Sequence, residues 1–198
     1  MGLWDADGGW GKTGMQRLLL AIAAGMLCGL LAGSVVAPGT ARAAADDISE
    51  RLGDCQDDEI DNDERALICT RIIDDSGLPE DLRAEALLNR GIVHLEEDRL
   101  DLAMADFEKA IAFNPTYPAA HAYRGEVHKA RGQLAEALAD YDRAISFFDE
   151  SADLFANRGE IHRLLGAADK AKADYEAAIR LERMHDVAVL GMKALTRK

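Results

Sequence analysis

From Ala84 to His185 small and apolar residues recur with helical spacing, and the spacing itself repeats. "DFEKAIAFNP" begins at Asp106, "DYDRAISFFD" at Asp140 and "DYEAAIRLER" at Asp174, 34 residues apart each time. Divided as 84–117, 118–151 and 152–185, the three units align Gly91, Gly125 and Gly159 in their first halves. In their second halves they align Ala103, Ala137 and Ala171, then Phe107, Tyr141 and Tyr175, then Ala110, Ala144 and Ala178, then Ile111, Ile145 and Ile179. Steps of four, three and one place these residues on one stripe of a helix. "EEDR", "ARGQ" and "LLGA" interrupt the pattern between the halves and predict tight turns. Each unit is therefore two antiparallel helices, with glycine on one letting alanines of the other approach and an aromatic ring filling the space beside them. The fold class this predicts is all-α, a helix-turn-helix solenoid of three 34-residue units.

The flanks predict lids, because stacked helix pairs leave an apolar face at each end. "NDERALICTRIIDDSG" (Asn62 to Gly77) copies a second helix with Cys69 at the alanine place, and Ala44 to Cys55 forms a degenerate first helix over it, giving a capping segment 46–83. Residues 186–198 form a last amphipathic helix capped by Asp186. Arg90, Arg124 and Arg158 each accompany an aspartate in the second half, Asp106, Asp140 and Asp174, which predicts an Arg–Asp pair in each unit or between neighbouring units.

At this point the units resemble the tetratricopeptide repeat family. The period, the helix-turn-helix layout, glycine at the eighth place, alanine at the twentieth, the aromatic at the twenty-fourth, alanine at the twenty-seventh and Pro115 closing the first unit all match. Where that family prefers tryptophan, leucine and tyrosine in the first helix, this chain has Leu87, His121 and Phe155, then Arg90, Arg124 and Arg158, then His94, His128 and His162. The resemblance implies a curved trough walled by the first helices, with repeat places 2, 5, 6, 9, 12 and 13 facing a ligand. Those places include Glu85, Leu88, Asn89, Ile92 and Leu95; Ala119, Ala122, Tyr123, Glu126 and Lys129; Asp153, Ala156, Asn157, Glu160 and Arg163. Family members that clamp a C-terminal carboxylate use lysine, arginine and asparagine where this chain has Leu88, Ile92, Ala122, Glu126, Ala156 and Glu160. The expectation is instead a protein or peptide partner bearing lysine or arginine, drawn to an alanine floor with an acidic rim.

Residues 1–45 have a different character. Leu18 to Ala37 carries no charge; Arg17 precedes it, and Pro38 follows with Ala41, Ala43 and Ala45. This is a secretory signal with an A-x-A site before Ala44 or Asp46, and "MQRLLL" from Met15 makes a better start than Met1. The expected product is periplasmic or secreted. The alternative keeps the segment as an inner-membrane anchor, since about 20 apolar residues span a bilayer and Gly25, Gly29 and Gly33 permit close helix pairing. Export suits the cysteines: with Cys28 in the signal, Cys55 and Cys69 are expected as a disulfide.

The net charge of -13 over 198 residues argues against nucleic-acid binding. Gly9, Gly11 and Gly14 spell G-x-G-x-x-G, but an export signal follows and Ala6 occupies the glycine place of a phosphate loop. His94, His128 and His162 lie one repeat apart, roughly the 8–10 Å of packed helices, too far to share a metal at about 2 Å. "DDEIDNDE" (Asp57 to Glu64) offers no calcium-loop register. No nucleophile is grouped with a base, so neither an enzyme nor a cofactor is expected; the alternative from another class is a metal-dependent role at these histidines and the acidic loop.

Overall fold

The computed structural model describes the backbone of residues 38–196 and the side chains of residues 47–196. Readings of the signal, its start site, its glycine motifs and Cys28 fall outside the described residues. Residues 43–198 form one compact unit.

Among the described residues there are nine helices and no strand: α1 Pro38–Gln56, α2 Asn62–Ile73, α3 Glu80–Glu96, α4 Leu100–Phe113, α5 Pro118–Ala130, α6 Leu134–Phe147, α7 Ala152–Leu164, α8 Ala168–Leu181 and α9 Asp186–Thr196. Each helix packs on the next from α2 to α9, and α9 also packs on α7. The chain is an all-α helical solenoid. The starts follow local chemistry: Asp61 accepts the Asp63 N–H at 3.0 Å, Pro118 fills the first place of α5, and the Ser151 hydroxyl accepts the Leu154 N–H.

The three tight turns share one device. Asp98, Gly132 and Gly166 have φ of 57°, 73° and 75°. The next residue's N–H then bonds back to the fifth residue before it, as in Arg99 to His94 O at 2.8 Å, Gln133 to His128 O and Ala167 to His162 O. Among the described residues, Asp98 is the one place where a side chain is held in this left-handed conformation.

Phe107, Tyr141 and Tyr175 are fully buried and lie against the aligned glycines. A Cβ on Gly91 would stand 2.5 Å from the Phe107 ring, one on Gly159 2.9 Å from Tyr175, and one on Gly125 3.2 Å from Tyr141. The predicted ion pairs form in every unit, each guanidinium gripping both carboxylate oxygens: Arg90–Asp106 at 2.8 and 2.7 Å, Arg124–Asp140 at 2.9 and 2.7 Å, Arg158–Asp174 at 2.9 and 2.6 Å. The aspartates are buried. Arg90 also donates to Thr70, and Arg158 to Asp142, so these two arginines tie a first helix to its own unit and to the unit before it.

Cys55 and Cys69 form a disulfide with a Cα separation of 5.3 Å. Leu52 and Cys55 of α1 pack with Cys69 and Ile72 of α2 and with Ala86 of α3, making the N-terminal lid. At the other end, Asp186 is not the cap. It lies in the first turn, and the His185 ring caps α9 by accepting the Ala188 N–H at 3.3 Å while bonding the Asp153 carboxylate at 2.9 Å. A 32-residue sequence separation hides that pairing from the local pattern.

Candidate functional site

The first helices of the second and third units, α5 and α7, wall a cleft of about 500 Å³. Ala119, Ala122, Tyr123 and Glu126 line it from α5, Asp153, Leu154 and Asn157 from α7, with Ser151 and Tyr141 completing it. Six of the trough residues read from the sequence thus meet in one cavity. Tyr141, Ser151 and Leu154 were not among them. Tyr141 was legible only as a packing ring, but its hydroxyl leaves the core and donates to Glu126.

That hydroxyl belongs to a motif built twice. Glu126 is bonded by Tyr141 of α6 and paired with Lys129 one turn along α5. Glu160 accepts from Tyr175 of α8 at 2.9 Å and is gripped by Arg163 at 2.5 and 2.7 Å. The Arg163 guanidinium holds Glu160 below the usual carboxylate range, and Tyr175 adds to this. Burial, reinforced by the neighbouring glutamate, pushes both tyrosines above their ordinary range. In the first unit the same three places hold Ile92, Leu95 and Phe107, which pack together. The wall therefore changes from apolar to polar along the solenoid.

The other expected trough residues divide by burial. Leu88, Asn89 and Ala156 are buried in the helix packing; Leu88 joins the first unit's core and Ala156 the third's. The Asn89 amide nitrogen has no partner among the protein atoms. Glu85 accepts from Gln56 at the end of α1 at 2.7 Å. Tyr123 stacks on Phe107 with ring centroids 5.8 Å apart. Asp153 carries an 81% exposed side chain at the cleft's edge.

The histidines sit beside the buried aspartates. His94, His128 and His162 bring Nε2 to 3.7, 3.7 and 3.8 Å from Asp106, Asp140 and Asp174. Burial pushes His94 and His162 below the ordinary imidazole value, against the pull of the aspartate. Among the described residues no cluster of three or more His, Cys, Asp or Glu could hold a metal ion.

Family models of the tetratricopeptide repeat match residues 84–117, 107–139 and 152–183. The chain belongs to the tetratricopeptide repeat family. Solved structures agree on the fold. The Arabidopsis OM64 tetratricopeptide domain is 19% identical with a TM-score of 0.57, over 59% of this chain and 96% of that one. The second such domain of human RPAP3, in complex with the HSP70 peptide SGPTIEEVD, is 24% identical with a TM-score of 0.57, over 60% and 99%. A tetratricopeptide repeat protein from Parabacteroides merdae is 18% identical with a TM-score of 0.63, over 76% and 59%. At these identities the likeness is one of fold. No curated protein matches by sequence.

Proposed function

We propose that this tetratricopeptide repeat protein is a non-catalytic scaffold that holds a segment of a partner protein in the cleft between α5 and α7, the segment bearing lysine or arginine. The carrying observation is the cleft itself, walled by Ala119 and Ala122, which leave room for a backbone, and edged by the exposed Asp153 carboxylate. A fold neighbour, the RPAP3 domain, is in complex with a peptide. That peptide ends in acidic residues, whereas here Lys129 and Arg163 are committed to Glu126 and Glu160 and leave no cationic clamp for a carboxylate. Because both glutamates are already paired and one Asp153 oxygen is bonded to His185, the other oxygen of that exposed Asp153 carboxylate and the chain's overall negative charge carry the attraction for a basic side chain.

A random peptide library selected on the full chain tests this. Enriched peptides should combine a lysine or arginine with apolar residues. Ala122→Arg, which fills the cleft from a partly exposed place, should abolish their binding while leaving the melting temperature unchanged. Enrichment of acidic C-terminal peptides, or undiminished binding by Ala122→Arg, would overturn the reading.

For location we propose export to the periplasm or beyond after cleavage before Ala44 or Asp46. One observation favours the second reading, retention as a membrane-anchored assembly factor: α1 runs unbroken from Pro38 through these sites, and a peptidase needs extended chain. Intact mass of the product decides between them. A chain starting at Ala44 or Asp46 supports cleavage, and a membrane-bound chain still carrying Leu18 to Ala37 supports the anchor.

A further inference from the structure

The last helix buries less of its apolar surface than it carries. Ala188 and Gly191 are buried, with Gly191 so close to Tyr175 that a Cβ there would stand 2.3 Å from the ring. Met192 and Leu195 pack beside them. Lys193 occupies the place that Gly91, Gly125 and Gly159 hold in the repeats. A charged side chain there blocks the approach a following second helix would need, so α9 closes the solenoid. Val187 and Leu190 of α9 are left bare, 43% and 62% exposed, and beside them in the chain Leu181 at the end of α8 and Met184 in the turn between the two helices are 46% and 76% exposed. A helix that is apolar nearly all round calls for cover on both sides.

The charge around this run reverses that of the chain. Residues 180–198 hold five cations against two acids, within a protein of net charge -13. Arg180, Arg183 and Lys193 are exposed, and none of them forms an ion pair among the described residues. Lys193 stands one turn beyond Leu190, on the neighbouring side of α9. The acids gather at the opposite end, where residues 46–64 hold ten against one cation.

We propose that the run Leu181, Met184, Val187 and Leu190 seats the protein on an anionic phospholipid surface, with α9 lying in the plane of the headgroups. Two needs select this occupant. The cover must be apolar at its centre and negative around it, which an anionic bilayer interface provides: acyl chains for the leucines, valine and methionine, phosphates for the arginine and lysine heads at the ends of their apolar stems. A second copy of the chain meets only one of them. Its acidic end would attract the cations, but Leu67 is the one large apolar side chain exposed there among the described residues. The contact lies flat on the membrane, and among the described residues no helix is long and apolar enough to cross one. It needs no N-terminal anchor, and its residues are not among those that line the α5–α7 cleft, although His185, between Met184 and Val187, bonds Asp153 at the cleft's edge.

Hydrogen exchange by mass spectrometry on the full chain tests this, because it resolves residues 181–195 whatever the N-terminal segment does. The protein is mixed with vesicles of phosphatidylcholine alone or of equimolar phosphatidylcholine and phosphatidylglycerol. Slowed exchange of residues 181–195 with phosphatidylglycerol, reduced by high salt and lost in Leu190→Asp and in Lys193→Glu, is the expected result. Both substitutions are at exposed places, and unchanged exchange of residues 84–180 verifies that each variant is folded. Equal protection by both vesicles, or none by either, overturns the proposal. Protection that appears without vesicles and grows with protein concentration overturns it in favour of self-association.

Discussion

Replacing Gly91 by alanine sets two terms of known size against each other. In a helix interior alanine is favoured over glycine by about 1 kcal/mol. Against this, the new Cβ would lie 2.5, 2.9 and 3.0 Å from three atoms of the Phe107 ring, which is fully buried and cannot swing aside. Carbon atoms rest at about 3.5–4.0 Å, so helix and ring must separate by roughly 1 Å. Strain of that kind in a packed core costs about 1–3 kcal/mol, leaving Gly91→Ala destabilised by up to about 2 kcal/mol. At Gly125 the nearest ring atom would be 3.2 Å away and a few tenths of an ångström suffice, so the terms cancel and Gly125→Ala should be near neutral. Gly159, at 2.9 Å, falls between. Urea unfolding of the three variants should rank them Gly91, Gly159, Gly125 from most to least damaging. In a Phe107→Leu background, where the smaller side chain vacates the space, Gly91→Ala should lose most of its penalty. A stabilised Gly91→Ala, or a Gly125→Ala that loses the most, would refute the idea that ring contact rather than helix propensity governs these positions.

Three further outcomes follow from the same geometry. Reducing the Cys55–Cys69 disulfide, which closes a separation of 14 residues, should remove about 3 kcal/mol and raise hydrogen exchange in α1 and α2 before it rises in α5 to α8. Asp174→Ala leaves the half-buried Arg158 guanidinium with the exposed Asp142 as its remaining partner and should cost about 3 kcal/mol in urea unfolding, much of it recovered when Arg158→Met is added. Burial depresses His94 and His162, whose surroundings are Asp106, Arg90 and Arg99 for the first and Asp174, Arg158, Lys170 and Asp142 for the second. An imidazole whose folded value lies below its unfolded one, about 6.5, stabilises fully above that pH and loses the contribution as pH falls through the folded value. Melting temperature should therefore drop between neutral pH and pH ~5, with a shallower drop in His94→Gln; an unchanged slope would count against the burial of that ring.

Much of the architecture was legible before any coordinates. The 34-residue period, the aligned glycines and alanines and the recurrent Arg–Asp spacing each report a contact that every unit makes identically, and repetition turns such a contact into a pattern along the chain. The pairing of Cys55 with Cys69 was readable for a different reason, since only two cysteines follow the signal. What repetition could not show is how places that differ between units resolve in space. Glu126 and Glu160 read as an open acidic rim, but an i+3 cation and a tyrosine hydroxyl from the facing helix occupy both. Leu88 and Ala156 sit at trough places yet are buried, because burial depends on how closely neighbouring units approach. His185 rather than Asp186 caps α9, through a carboxylate 32 residues away. Periodicity assigns a residue to a face of its own helix; only the packing of one helix against the next decides which neighbour meets that face, and therefore which charges remain free and which apolar side chains stay bare.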